Sequence, residues 1–112
     1  MKKIPAVFYR AANGAMPVRE WLLTLPERDC RTVGFDIARV EFGWPVGMPV
    51  CRPLGSGLWE VRSDVSDGRI GRVIFCISNG RMVLLHGFIK KTQRTPPADI
   101  ALARSRQKDV EA

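Results

Sequence analysis

Apolar positions along the chain recur with two different periods, and the change of period divides it into segments. Residues 4 to 10, with Ile4, Val7, Phe8 and Tyr9, favour a first β-strand that Asn13-Gly14 closes with a turn. Pro5 near its start points to an edge position. Pro17 suits the first turn of a short helix through Leu25, whose apolar stripe is Trp21, Leu22 and Leu25. Thr24 and Glu27 have capping-box spacing, so a second helix starts there with Pro26 tolerated in its first turn. Cys30, Val33, Ile37, Val40 and Trp44 alternate spacings of three and four and form its buried face.

Residues 44 to 57 hold Pro45, Pro49, Pro53, Gly47, Gly55 and Gly57, a composition that predicts a long loop. Beyond it, Asp67-Gly68 and Asn79-Gly80 are turn signals between β-rich runs, giving three strands at about 58–65, 69–78 and 81–90. Thr95 before Pro96 and Pro97, with Asp99 in the first turn, opens a last helix through about Arg106, and the polar tail from about 107 is expected to fray. The order β-α-α-β-β-β-α predicts an α+β fold. Its small, mainly antiparallel sheet carries two N-terminal helices on one face, followed by a C-terminal helix, in a single domain over residues 1–112.

With 112 residues, 46% of them hydrophobic, one core suffices without disulfides or metal. Cys30, Cys51 and Cys76 are odd in number and widely spaced, which argues against a disulfide framework and a zinc site and for a reducing cytoplasm. The apolar run after Met1-Lys2-Lys3-Ile4 breaks at Tyr9-Arg10, too early for a signal peptide or a membrane span. A balance of 18 Lys and Arg against 11 Asp and Glu, net +7, predicts attraction to nucleic acid, a ribosome, an acidic protein or an anionic membrane without choosing among them.

Between Asp67 and Asp99 the chain has no acidic residue but carries Arg69, Arg72, Arg81, Lys90, Lys91 and Arg94. Strand alternation with the aromatics inward turns Arg62 and Arg72 outward together. The Met82-Val83-Leu84-Leu85 strand is almost wholly apolar, hence central or covered on both faces, and its end delivers His86, Lys90 and Lys91 to the sheet margin. Such a set suits RNA cleavage by the 2′-hydroxyl: fixed guanidinium charge stabilises the pentacovalent phosphate, and His or a cation-crowded Lys moves protons. No carboxylate cluster suggests a two-metal nuclease, and no cofactor is implied. Plain alternatives stand beside each residue. His86 also fits a structural histidine, Arg62 a pair with Glu60 or Asp64, Lys90-Lys91 solubility charge, and Arg69 and Arg81 solvated residues after turns.

With these elements placed, the chain resembles the RelE/ParE toxin superfamily, in its HigB-like, phage-derived branch, over nearly its whole length. The resemblance rests on Val7-Phe8-Tyr9-Arg10, Pro17-Val18-Arg19-Glu20-Trp21-Leu22 and the run from Pro53 to Arg62. It continues through Gly71-Arg72-Val73, the run from Leu84 to Gln93, Thr95-Pro96 and the helix with Ala103 and Arg106. The resemblance implies a type II toxin held by an antitoxin, usually a HigA-like helix-turn-helix protein, and a ribosome-dependent endoribonuclease that cleaves messenger RNA. On that analogy Arg62 and Arg72 hold the phosphate, and His86, Lys90 and Lys91 match the region of proton transfer; the basic stretch adds Arg69, Arg81 and Arg94 as RNA-binding candidates. The chain lacks the C-terminal tyrosine of several relatives, which leaves the acid unassigned. The same superfamily implies two alternatives, a ParE-like gyrase inhibitor and an inactive prophage-derived basic binding module.

Overall fold

The computed structural model describes residues 1–111. It is an α+β fold built on one five-stranded sheet. Strand β1 (Ala6–Phe8) leads to helices α1 (Pro17–Thr24) and α2 (Glu27–Gly43). Strands β2 (Cys51–Gly55), β3 (Leu58–Asp64), β4 (Ile70–Ser78) and β5 (Arg81–Lys90) follow, and helix α3 (Pro97–Glu111) comes last. The spatial order is β1-β5-β4-β3-β2, antiparallel throughout except for the parallel pair β1 and β5.

Alternation along the strands builds two cores, one on each face of the sheet. Val61, Val73, Phe75 and Leu84 meet Val33, Ile37 and Val40 of α2 on the first face. Leu58, Ile74, Cys76 and Leu85 meet Ala103 of α3 on the second. β5, inside the sheet between β1 and β4, is covered on both sides, as its unbroken apolar run predicts. On the α1 side β5 needs a glycine, since a Cβ at Gly87 would lie 2.3 Å from the Trp21 ring.

Buried carboxylates from α2 tie down the ends of the sheet. Asp29 accepts the Ser66 backbone N–H at 3.0 Å and its hydroxyl at 2.7 Å, anchoring the β3–β4 turn. Those hydrogen bonds hold its carboxyl below the ordinary carboxylate value. Glu41 accepts the Ala6 N–H at 2.7 Å and pairs with Lys2 at 3.0 Å, which occupies a donor on edge strand β1.

Three local expectations give way. The span 44–57 is not all loop: Cys51–Gly55 pairs with β3 despite its proline and glycine, because β2 is an edge strand and its register slips between Pro53 and Gly55. Thr24 does not open α2. Its hydroxyl donates to the Trp21 carbonyl at 2.6 Å, and α2 starts after Pro26 with Glu27 and Asp29 in its positive first turn. Nor does α3 fray at 107, since tertiary bonds hold its end. Tyr9 donates to Asp109 at 2.6 Å, Gln107 to the Ser56 carbonyl at 2.9 Å and Arg106 to the Leu85 carbonyl at 2.8 Å. Among the described residues no helix is long and apolar enough to cross a membrane.

Candidate nucleic-acid interface

Register decides which basic side chains meet. Arg62 pairs with Arg72 across β3 and β4, and Arg52 of β2 pairs with Glu60 of β3, so all four side chains share the α3 face of the sheet. His86 joins them through a bulge. The β4–β5 register shifts between Ile74 and Phe75, whose partners are His86 and Leu84, leaving Leu85 as the extra residue. The bulge turns both Leu85 and His86 toward α3, where strict alternation would send them to opposite faces. There His86 Nε2 lies 2.7 Å from Asp99 Oδ1 in the first turn of α3, and its ring stacks on Phe88. A carboxylate only accepts, so Nε2 carries a proton and Nδ1 is the nitrogen left for other work.

The segment after β5 folds back over the arginines. Arg72 Nη2 donates to the Thr92 carbonyl, Arg52 Nη1 to the Gln93 carbonyl at 3.3 Å, and Arg62 Nη2 to Gln93 Oε1 at 3.4 Å. The Thr95 hydroxyl donates to Glu60 Oε2. Thr92 and Gln93 thus offer the guanidinium row neutral oxygens where a phosphate would offer charged ones. The match is incomplete: two donors, Arg72 Nε and Arg72 Nη1, and one acceptor, Glu60 Oε1, are buried without a hydrogen-bond partner among the described residues. Burial pushes the Arg72 pKa down and Glu60 opposes that, while Arg62 and Arg52 add repulsion. Arginine nevertheless stays a cation.

The outward turn expected of Arg72 is half right. It lies on the expected face with Arg62 but is wholly buried, because residues 91–96 and α3 cover that face. Arg62 keeps access to solvent, lining a hollow of about 500 Å³ with Asp64, Ile70 and Gln93, and its Nε sits 3.9 Å from Glu60 Oε1. Lys90 ends β5 on the arginine side, opposite Ile70, and is exposed; Lys91 follows it outside the strand, also exposed. Arg94 lines a cavity with Arg52 and Arg104. Two residues lie elsewhere. Arg69 is held by Ser66 and by Asp29 of α2 at 3.5 Å, and Arg81 begins β5 at the turn end, a full strand length from Lys90.

Sequence reasoning missed Arg52, Thr95, Asp99 and Arg104, and assigned Glu60 to the surface. Alternation put Glu60 on the face of Arg62, as found, but nothing local signals that it is wholly buried there. Among the described residues no three His, Cys, Asp or Glu side chains converge as metal ligands would.

Residues 20–108 match the family model of the phage-derived Gp49-like proteins (DUF891). The chain belongs to this family. No curated protein matches the sequence. The match takes in α2, the whole sheet except β1, and most of α3, so the arginine row, His86 and Asp99 all lie within the part shared with Gp49-like proteins.

Proposed function

We propose that this Gp49-like chain is the toxin of a type II toxin–antitoxin pair, a metal-independent endoribonuclease that cleaves messenger RNA on the ribosome. The observation that carries the reading is the Arg62–Arg72 pair. Two cations directly opposite across a ladder oppose folding, and a fold that keeps them beside unpartnered N–H groups has an anion to gain. A phosphodiester is the anion that fits a row of guanidiniums.

In the proposed reaction the ribose 2′-oxygen attacks the neighbouring phosphorus, and the bond to the departing 5′-oxygen breaks. Arg62 receives the phosphate from solvent, and Arg72 supplies fixed positive charge beneath it as the negative charge builds. His86 Nδ1 takes or returns a proton, with Asp99 fixing the ring's tautomer and orientation. Lys90 and Lys91 stand at the rim to hold adjacent phosphates or to supply the remaining proton. For RNA to reach Arg72, Thr92 and Gln93 must give up their bonds to the arginines. The proposed partners are messenger RNA on the ribosome and a helix-turn-helix antitoxin, and the proposed setting is the bacterial cytoplasm.

Primer extension on messages from translating ribosomes, incubated with the purified chain, tests this reading. Cleavage that persists in EDTA and disappears with Arg62→Ala is expected. Intact messages alongside defective DNA supercoiling would overturn it in favour of a gyrase inhibitor, and full toxicity of Arg62→Ala would also overturn it.

A further inference from the structure

One cavity beside the arginine row has no part in the phosphate chemistry. It lies between edge strand β2 and the start of α3, measures about 580 Å³, and joins apolar surface from Leu54, Pro97 and Ile100 to Arg52, Arg94 and Arg104. Among the described residues no carboxylate lines it. We propose that this cavity is a base-binding subsite, taking the nucleobase next to the cleaved phosphodiester between guanidinium planes and an apolar floor. The proposal rests on the nuclease reading and adds to it where sequence preference is set.

Three observations converge on a nucleotide. The size falls in the range of small-ligand sites, whereas a docked protein would bury on the order of 800 Å² of each partner. Flat guanidinium groups stack on bases, and neither Arg94 nor Arg104 has an ion-pair partner among the described residues. The cavity is also continuous with the phosphate row. Arg52 lines it while donating to the Gln93 carbonyl beside Arg62, and Thr95 lines it while holding Glu60. A strand gripped at Arg62 therefore has its neighbouring nucleotide at the cavity mouth.

The test uses 2′-O-methyl RNA pentamers, which cannot be cleaved, carrying one abasic site at each position in turn. Binding to the full chain is followed by fluorescence anisotropy. One abasic position is expected to weaken binding about tenfold, the scale of one lost base stack. Two variants remove that dependence by different routes: Ala101→Phe fills the cavity from an exposed helix position, and Arg104→Ala removes a stacking plane. If both variants melt like the parent and keep the same abasic profile while Arg62→Ala still abolishes cleavage, the subsite is wrong and the nuclease stands. Pentamers that do not bind, with messages intact, would sink both. Loss of antitoxin binding in these variants, with the abasic profile unchanged, would make the cavity a protein-docking site and overturn the proposal.

Discussion

Arg62 and Arg72 face each other across one ladder, yet the Arg62 side chain is 15% exposed and Arg72 is 0% exposed. The pair therefore divides one task. In the proposed reaction one guanidinium meets the phosphate and the other sets the potential beneath it, while Glu60, 3.9 Å from Arg62, opposes the desolvation of Arg72.

Substitutions at the two positions should fail differently. Arg62→Gln, at the more accessible of the two positions, is expected to melt closer to the parent than a substitution of Arg72 does, and to lose RNA cleavage. Arg72→Ala removes a wholly buried side chain and its bond to the Thr92 carbonyl and is expected to lower the melting temperature, so its loss of toxicity includes unfolding. Urea melts beside cleavage assays separate the two effects.

His86→Ala should lower cleavage by roughly 10²–10⁴-fold, the usual range for a lost general acid or base, while RNA binding persists. Asp99→Asn leaves the ring in place but removes the charge beside it, and its amide N–H can face Nε2 so that the proton no longer has to sit there. It should displace the pH–rate profile as well as lowering it. A merely structural histidine would change the melting curve and leave the pH profile where it was.

Gly87→Ala should destabilise the fold by about 1–3 kcal/mol, because the added methyl overlaps the Trp21 ring. Trp21→Leu introduced into the same protein should recover part of that loss. A double-mutant cycle in urea reads the coupling.

Acid should loosen the β3–β4 turn through Asp29. Its carboxyl is held below the ordinary 3.8, so its contribution is present above that pH and is lost as pH falls through the lower folded value. Asp29→Asn should flatten that part of the stability curve, as read by urea melts between pH 5 and about 2.

The thiols should separate by burial. Burial pushes Cys51 up to about 11 and raises Cys76, whereas Cys30 is partly exposed. Iodoacetamide at neutral pH is expected to label Cys30 first and the other two only in denaturant. Because the Cys51 thiol is favoured in the folded state, its contribution is present below 9.0 and fades as pH rises toward 11.

Much of the framework was legible in the sequence for local reasons. Asn79 and Gly80 take φ values of 52° and 74°, as a tight hairpin turn demands, and so fix the β4–β5 connection. The unbroken apolar run of β5 placed it inside the sheet and covered on both faces. What stayed hidden depends on distant partners. β2 becomes a strand only because β3 lies beside it, and the Leu85 bulge exists only in the pairing of β5 with β4. Arg72 looked exposed because nothing local says that α3 and residues 91–96 return across its face. Charge and strand parity found the arginine row, but its acidic floor and covering segment come from pairing and return of the chain.

The parallel pairing of β1 with β5 also sets an order of events during synthesis. Ala6 through Phe8 have their ladder partners at Met82 through Leu84, so the earliest strand waits unpaired while the intervening helices and hairpins emerge. Arg72, in turn, needs Thr92 and the returning segment before it is enclosed. A ribosome making this chain therefore works beside an unfinished product, and the sheet closes only once the codons for β5 have been read.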